Sequence, residues 1–190
     1  MYNEEKTFVL AYADSGIELS TLNPNILRSV AIAQTGDSST IVGEETQIVV
    51  SVTTFNPIPA GGGLKIDFPK WNSQAQDNNR VSYIIQDDQP ICSISSGMTQ
   101  ITCDLIVTPT VDTLVIKDMF PDAHRDAGST FAFVINRVRN PLSMSPVEFT
   151  LTSWSSILFE AVGLQVSFKG LIDQGQGSFK ASLPSVMDAT

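Results

Sequence analysis

The residues able to do chemistry are few. His124 is the single histidine, and it stands in MFPDAHRDAG beside Arg125, with Asp118, Asp122 and Asp126 close in sequence. A catalytic histidine needs a nucleophile or a second acid placed by the fold, and no Gly-x-Ser-x-Gly turn or comparable signature occurs. The three aspartates offer oxygens to calcium, but the run lacks the glycine and terminal glutamate of an EF-hand loop. The stretch reads as a solvated loop. No catalytic residue, cofactor site or metal ligand is assigned.

Cys92 and Cys103 are the only cysteines, in PICSISSGMTQITCDL. Ser96-Gly97-Met98 between them reads as the tip of a hairpin, whose short arms would set the two thiols opposite each other. Facing strand cysteines meet the short Cα separation that a disulfide needs. Two buried free thiols are the alternative. A zinc site needs more ligands than two cysteines and His124 supply. A bridge implies an oxidising compartment, so the expected location is extracellular, secreted or at the cell surface.

Elements must hold these residues, and composition bounds them. The chain has 190 residues, 42% of them hydrophobic and only 16% charged, so uncharged polar residues must cover much of its surface. A net charge of −9 argues against a nucleic-acid partner, which needs clustered Lys and Arg. No apolar run approaches the roughly 20 residues of a transmembrane helix. The start, MYNEEKTF, lacks the basic-then-apolar pattern of a secretion signal. The expectation is therefore a mature product or a segment of a longer chain.

The most informative stretch is TQIVVSVTTFNPIPAGGGLKIDFP (residues 46–69). Ile48, Val50 and Val52 alternate with a second set, as do Leu64, Ile66 and Phe68 after the turn, a period of two that fits half-buried strands. Pro57 and Pro59 lack the amide donor and interrupt the ladder. Further strand candidates fall at 7–12, 29–33, 81–86, 91–95, 100–107, 113–117, 130–136, 147–153, 164–169 and 178–182, with one short helical turn at most, near 118–126. Short β-branched strands at this spacing predict an all-β sandwich. Its expected core is Ile48, Val50, Val52, Leu64, Ile66, Phe68, Phe131, Phe133, Ile135, Phe149 and Leu151.

Two tryptophans, Trp71 and Trp154, raise the question of sugar stacking, against which core or junction packing is the default. No Asn-x-Ser/Thr sequon occurs. Serine and threonine turns at 36–40 and 153–156 leave O-linked glycans open. The two ends echo each other: FVLAYADSGIELS (8–20) against FTLTSWSSILFEA (149–161).

Read in order, the FNPIPAGGG turn (55–63), the FPKW strand end (68–71), the Cys92–Cys103 segment, GSTFAFVINRVRNP (128–141) and FTLTSWSS (149–156) carry a resemblance. Over roughly residues 25–160 the chain resembles the repeat domain found in tandem in large cell-surface and secreted proteins of ciliates and other protists. Ser153-Trp154-Ser155 stands where those repeats have Thr-Tyr-Asp. The resemblance implies an extracellular, non-enzymatic, Ig-like module that stacks with copies of itself into fibres or surface coats.

The resulting division is an N-terminal extension strand and linker at 1–25, an Ig-like β-sandwich at 26–160, and a C-terminal β extension at 161–190 that contacts the next subunit. An apolar strand outside a domain leaves amides unpaired, and pairing with a neighbour's sheet edge satisfies them. Phe8, Leu10 and Tyr12 at one end and Leu164, Val166 and Phe168 at the other are the expected assembly residues. The expected function is a structural subunit of an extracellular filament, a head-to-tail homopolymer. The alternative is a carbohydrate-binding or cell-adhesion module.

Overall fold

Alternation of side chains sets which face each strand buries. In a computed structural model of the chain, residues 25–36, 38–72, 80–85, 91–161 and 164–182 are described, with 71–72, 80–81, 155–161 and 164–171 described for their backbone. The strands in chain order are β1 (Asn25–Ile26), β2 (Ser29–Gln34), β3 (Glu45–Thr53), β4 (Gly63–Pro69), β5 (Trp71–Asn72) and β6 (Arg80–Val81). They continue as β7 (Cys92–Ser96), β8 (Thr102–Val107), β9 (Val111–Lys117), β10 (Thr130–Arg139), β11 (Val147–Ala161) and β12 (Leu164–Phe179). No helix occurs among the described residues.

One open sheet has six strands in the order β1-β12-β11-β4-β9-β8, and a second has four in the order β2-β3-β10-β7. They pack face to face as a sandwich, and β5 pairs with β6 apart from both. Only β1 against β12 is parallel among these pairings. The eleven expected core residues are all buried, none of them more than 2% exposed. Leu114 and Ile116 of β9 join them, as do Ile58, Met119, Phe120, Ile172 and Phe179. Phe149 sits at the centre of an aromatic group, 4.8 Å from the Phe68 ring and 6.2 Å from that of Phe179. Burying such rings removes the largest apolar areas from water and gives the two sheets their common interior.

Three differences from the sequence reading have physical causes. The cysteine segment is not a hairpin: β7 pairs with β10 in one sheet and β8 with β9 in the other. Met98 and Ile101 between them pack against the core, which draws the chain over the rim from sheet to sheet. The expected strand at 81–86 is reduced to β6 and a single bridge from Ile84 to Val138. The two short strands expected at 164–169 and 178–182 are one strand, β12, paired along β11.

That third difference moves residues from an extension into the sandwich. Ile172, Phe179 and Ala181 are buried, so this part of β12 and the residues just after it belong to the sandwich. The glycines in LIDQGQGSF read as a break in the strand, since glycine weakens a strand interior. In the fold they do the opposite. A Cβ on Gly177 would lie 2.5 Å from Ile32 Cδ1 and 2.9 Å from the Phe149 ring, and one on Gly175 would lie 3.0 Å from Leu27 Cδ1. Glycine is what lets β2 of the other sheet approach the β12 backbone.

Candidate functional site

The sandwich has two sides, and the residues singled out from sequence fall on both. On one side Cys92 and Cys103 form a disulfide across a Cα separation of 6.2 Å, within the range such a bridge accepts. It joins β7, the edge of the four-stranded sheet, to β8, the edge of the six-stranded one. Beside it Ile91, Met98, Ile101 and Leu105 pack against the core while only partly buried. On β8, Ile106 is 53% and Val107 50% exposed. Asp104, the one charged residue of β8, is paired with Lys117 of β9.

Beyond the sheets, β11 and β12 continue as a ribbon. Pairing of β11 with β4 ends at Trp154 opposite Gly63, and β1 meets β12 only at Asp173 and Gln174. Residues 155–161 and 164–170 therefore pair with each other alone among the described residues. The register sets Leu164 opposite Ala161, Val166 opposite Phe159 and Phe168 opposite Ile157. Directly opposed residues share a face, and alternate residues share it along each strand. The three expected C-terminal assembly residues thus fall on one face of the ribbon with three further apolar positions. Phe8, Leu10 and Tyr12 lie outside the described residues.

The titratable loop is spread into solvent. His124 Nε2 lies 3.2 Å from Asp126 Oδ1, with the two side chains 69% and 88% exposed. Asp118 and Asp122 are also exposed. Among the described residues no three His, Cys, Asp or Glu side chains converge on a place that could hold a metal ion. Trp154 is half-buried, its indole lying where a Cβ on Gly63 would have to go. Ser153, within one of the turns left open to O-linked glycans, is buried and bonded to Asp173: its Oγ accepts from Asp173 N at 2.9 Å.

The structure also brings together polar groups that no sequence signal marked. Asp173 is fully buried, and its carboxylate accepts hydrogen bonds from Phe55 N and Asn56 N, each at 2.9 Å, and from Asn56 Nδ2 at 2.8 Å. A carboxylate from near the C-terminal end of the sandwich thereby fixes the proline turn after β3. Asp112, also buried, pairs with Lys70 at 3.2 Å and accepts from the Ser82 hydroxyl. Asn140 donates to Ser39 O and Ile41 O, both at 2.8 Å, and accepts from Gln34 Nε2 at 2.9 Å. Tyr83 is pushed up to about 12 by desolvation. Its ring stands edge-on to Phe179. All are contacts between residues distant in sequence, and each local stretch looks like an ordinary turn. The described residues thus offer strand edges and a ribbon whose register places apolar positions on one face as their distinctive features.

No protein-family model matches the chain, and no curated protein matches it. Among solved structures it is similar to one titled "AvmM Catalyzes Macrocyclization in Alchivemycin A Biosynthesis", at 12% identity and a TM-score of 0.33, over 83% of this chain and 92% of that one. A likeness of that degree carries no argument about fold or function.

Proposed function

We propose that the chain is a structural subunit of an extracellular filament or surface coat, whose copies join head to tail through β-strand contacts. The observation that carries this reading is the β11–β12 ribbon, which runs past both neighbouring strands with its apolar register positions on one face. A two-stranded ribbon alone is marginal in water, and an apolar face on one gains most from a partner. On this reading the sandwich is an Ig-like module, akin to the protist surface repeats its sequence resembles, and the disulfide suits an oxidising exterior.

The adhesion reading rests on a cleft of about 450 Å³ lined by Lys70, Tyr83, Ser143, Ser145 and Glu148 among others. Its aromatic ring is only 3% exposed, so it presents little face on which a sugar could stack. Assembly is favoured for that reason. Negative-stain microscopy of the purified, unreduced protein tests it: filaments are expected on concentration. A monodisperse monomer at every concentration that binds a glycan saturably would replace this reading with the other.

A further inference from the structure

The ribbon is one feature that a neighbouring copy could meet, and the rim at the disulfide is a second. An edge strand is normally blunted by a proline, a bulge, a lysine or a covering loop, because its free amides and carbonyls invite another strand. β8 has none of the first three. It pairs with β9 through six consecutive residues, Thr102 to Val107, without a register shift. No described strand lies on its other side. In an antiparallel pair alternate residues aim their backbone groups away from the partner, so this side of β8 presents donors and acceptors with no strand partner among the described residues. Cys103 and Leu105 on its inner face pack against the core and remain partly buried, so the apolar interior stops at this rim.

The chain itself contains a segment suited to that edge. Residues 7–12, Thr-Phe-Val-Leu-Ala-Tyr, are six in number, like β8, and lie ahead of β1. Their Phe8-x-Leu10 pattern repeats Phe149-x-Leu151 of β11, and the sandwich buries Phe149 and Leu151 to 2% and 0% exposure. A segment with core-type residues at that spacing suits an interior left partly uncovered. The rim at β8 offers one.

We infer that residues 7–12 of one copy add to the β8 edge of a second copy, with Phe8 and Leu10 covering the rim beside Cys103 and Leu105. The inference deepens the filament reading and rests on it for the repetition, though not for the joint itself. Donor and acceptor belong to opposite edges of one sheet, since the segment leads into β1 and the acceptor is β8. Such a contact is heterologous, so each copy keeps one free donor and one free acceptor, and the contact propagates. The linker at 13–24 is long enough, at roughly 3.3 Å per residue, to cross five strand spacings of about 4.8 Å, so the chain's own β8 must be separated experimentally.

The test uses the full chain with p-benzoylphenylalanine at position 10, mixed equally from ¹⁴N- and ¹⁵N-labelled preparations and photolysed under non-reducing conditions. Mixed-isotope adducts mapped to residues 102–107 are expected. Ile106→Lys should lower their yield about tenfold, the effect of roughly 1.4 kcal/mol at the joint, while Ile94→Lys on the other rim strand should leave it unchanged. Ile106 is exposed, so an unaltered thermal midpoint confirms that the variant folds. Adducts within one isotope only, or on any other element, would overturn the inference. Filaments that form without the adduct would overturn the joint and leave the filament reading standing. Mixed-isotope adducts on β8 in particles that stop at two copies would keep the joint and overturn the filament.

Discussion

The two long sides of the sandwich are closed by different means. On one side the backbone itself passes between sheets: β1 ends at Ile26 in the six-stranded sheet and β2 begins at Ser29 in the four-stranded one. There Val30 and Ile32 settle onto Gly175 and Gly177, and Asp173 ties the strand to the turn at Phe55 and Asn56. On the other side the backbone also crosses, at residues 97–101, and the Cys92–Cys103 bridge adds a covalent link, while neither β7 nor β8 has a further described strand beyond it. Native contacts draw the first side together. The disulfide tethers the second without covering it, and a tether acts largely by restricting the unfolded chain. The comparison teaches that two sides of one sandwich can be held by different means, one by close packing of backbone and side chains and the other by a covalent tether.

The largest effect should come from breaking the side held by native contacts. Asp173→Ala leaves two backbone amides without their buried acceptor, and each such orphan costs about 1–3 kcal/mol. A loss of about 3 kcal/mol is expected in urea titration, with part of it recovered in Asp173→Asn. A loss below half a kcal/mol would mean that the turn stands without its carboxylate.

Reducing the disulfide, or replacing both cysteines with serine, should lower stability by about 2–3 kcal/mol, the loop-closure value for a bridge of this span. The native near-UV spectrum should persist, because the folded contacts are unchanged. Loss of that spectrum under native conditions would show the bridge maintaining folded contacts, and the contrast between the sides would fail.

Gly177→Ala should cost about 1–2 kcal/mol, since its methyl meets Ile32 and the Phe149 ring and forces β2 outward. Pairing it with Ile32→Val, which shortens the opposing side chain, should recover part of the loss. Additive losses would place the crowding elsewhere.

The smallest effect concerns Tyr83. Its phenol is raised to about 12 in the folded chain against 10 for the ordinary group. The folded state therefore holds the proton more tightly. Its contribution is complete below pH 10 and is lost as pH climbs through 12. Wild type should lose about 1 kcal/mol more than Tyr83→Phe between pH 9 and pH 11. Parallel stability profiles for the two proteins would show that the phenol is not desolvated.

How much was legible follows from which interactions are local. Alternation over two residues is a property of adjacent positions, and it located the buried faces of β3, β4, β10 and β11 residue by residue, from Ile48 to Leu151. The pairing of Cys92 with Cys103 was expected from a hairpin that does not form, and the bridge is present all the same. Alternation could not assign the strands bearing them to different sheets, because Met98 and Ile101 signal burial without saying under which sheet edge. Leu164, Val166 and Phe168 were readable as a strand face, whereas their opposition to Ala161, Phe159 and Ile157 is a matter of register.

What the sequence determined by itself, then, is the all-β class and the inward face of the central strands. Tertiary structure alone decided the rest. Gly175 and Gly177 read locally as a break and serve globally as the close approach of β2. Asp173 carried no signal in the sequence and is a buried anchor for a segment more than a hundred positions away. The reason is physical: side-chain alternation is fixed by backbone geometry within a strand, whereas the meaning of a glycine or a carboxylate is set by the atoms that the fold brings against it.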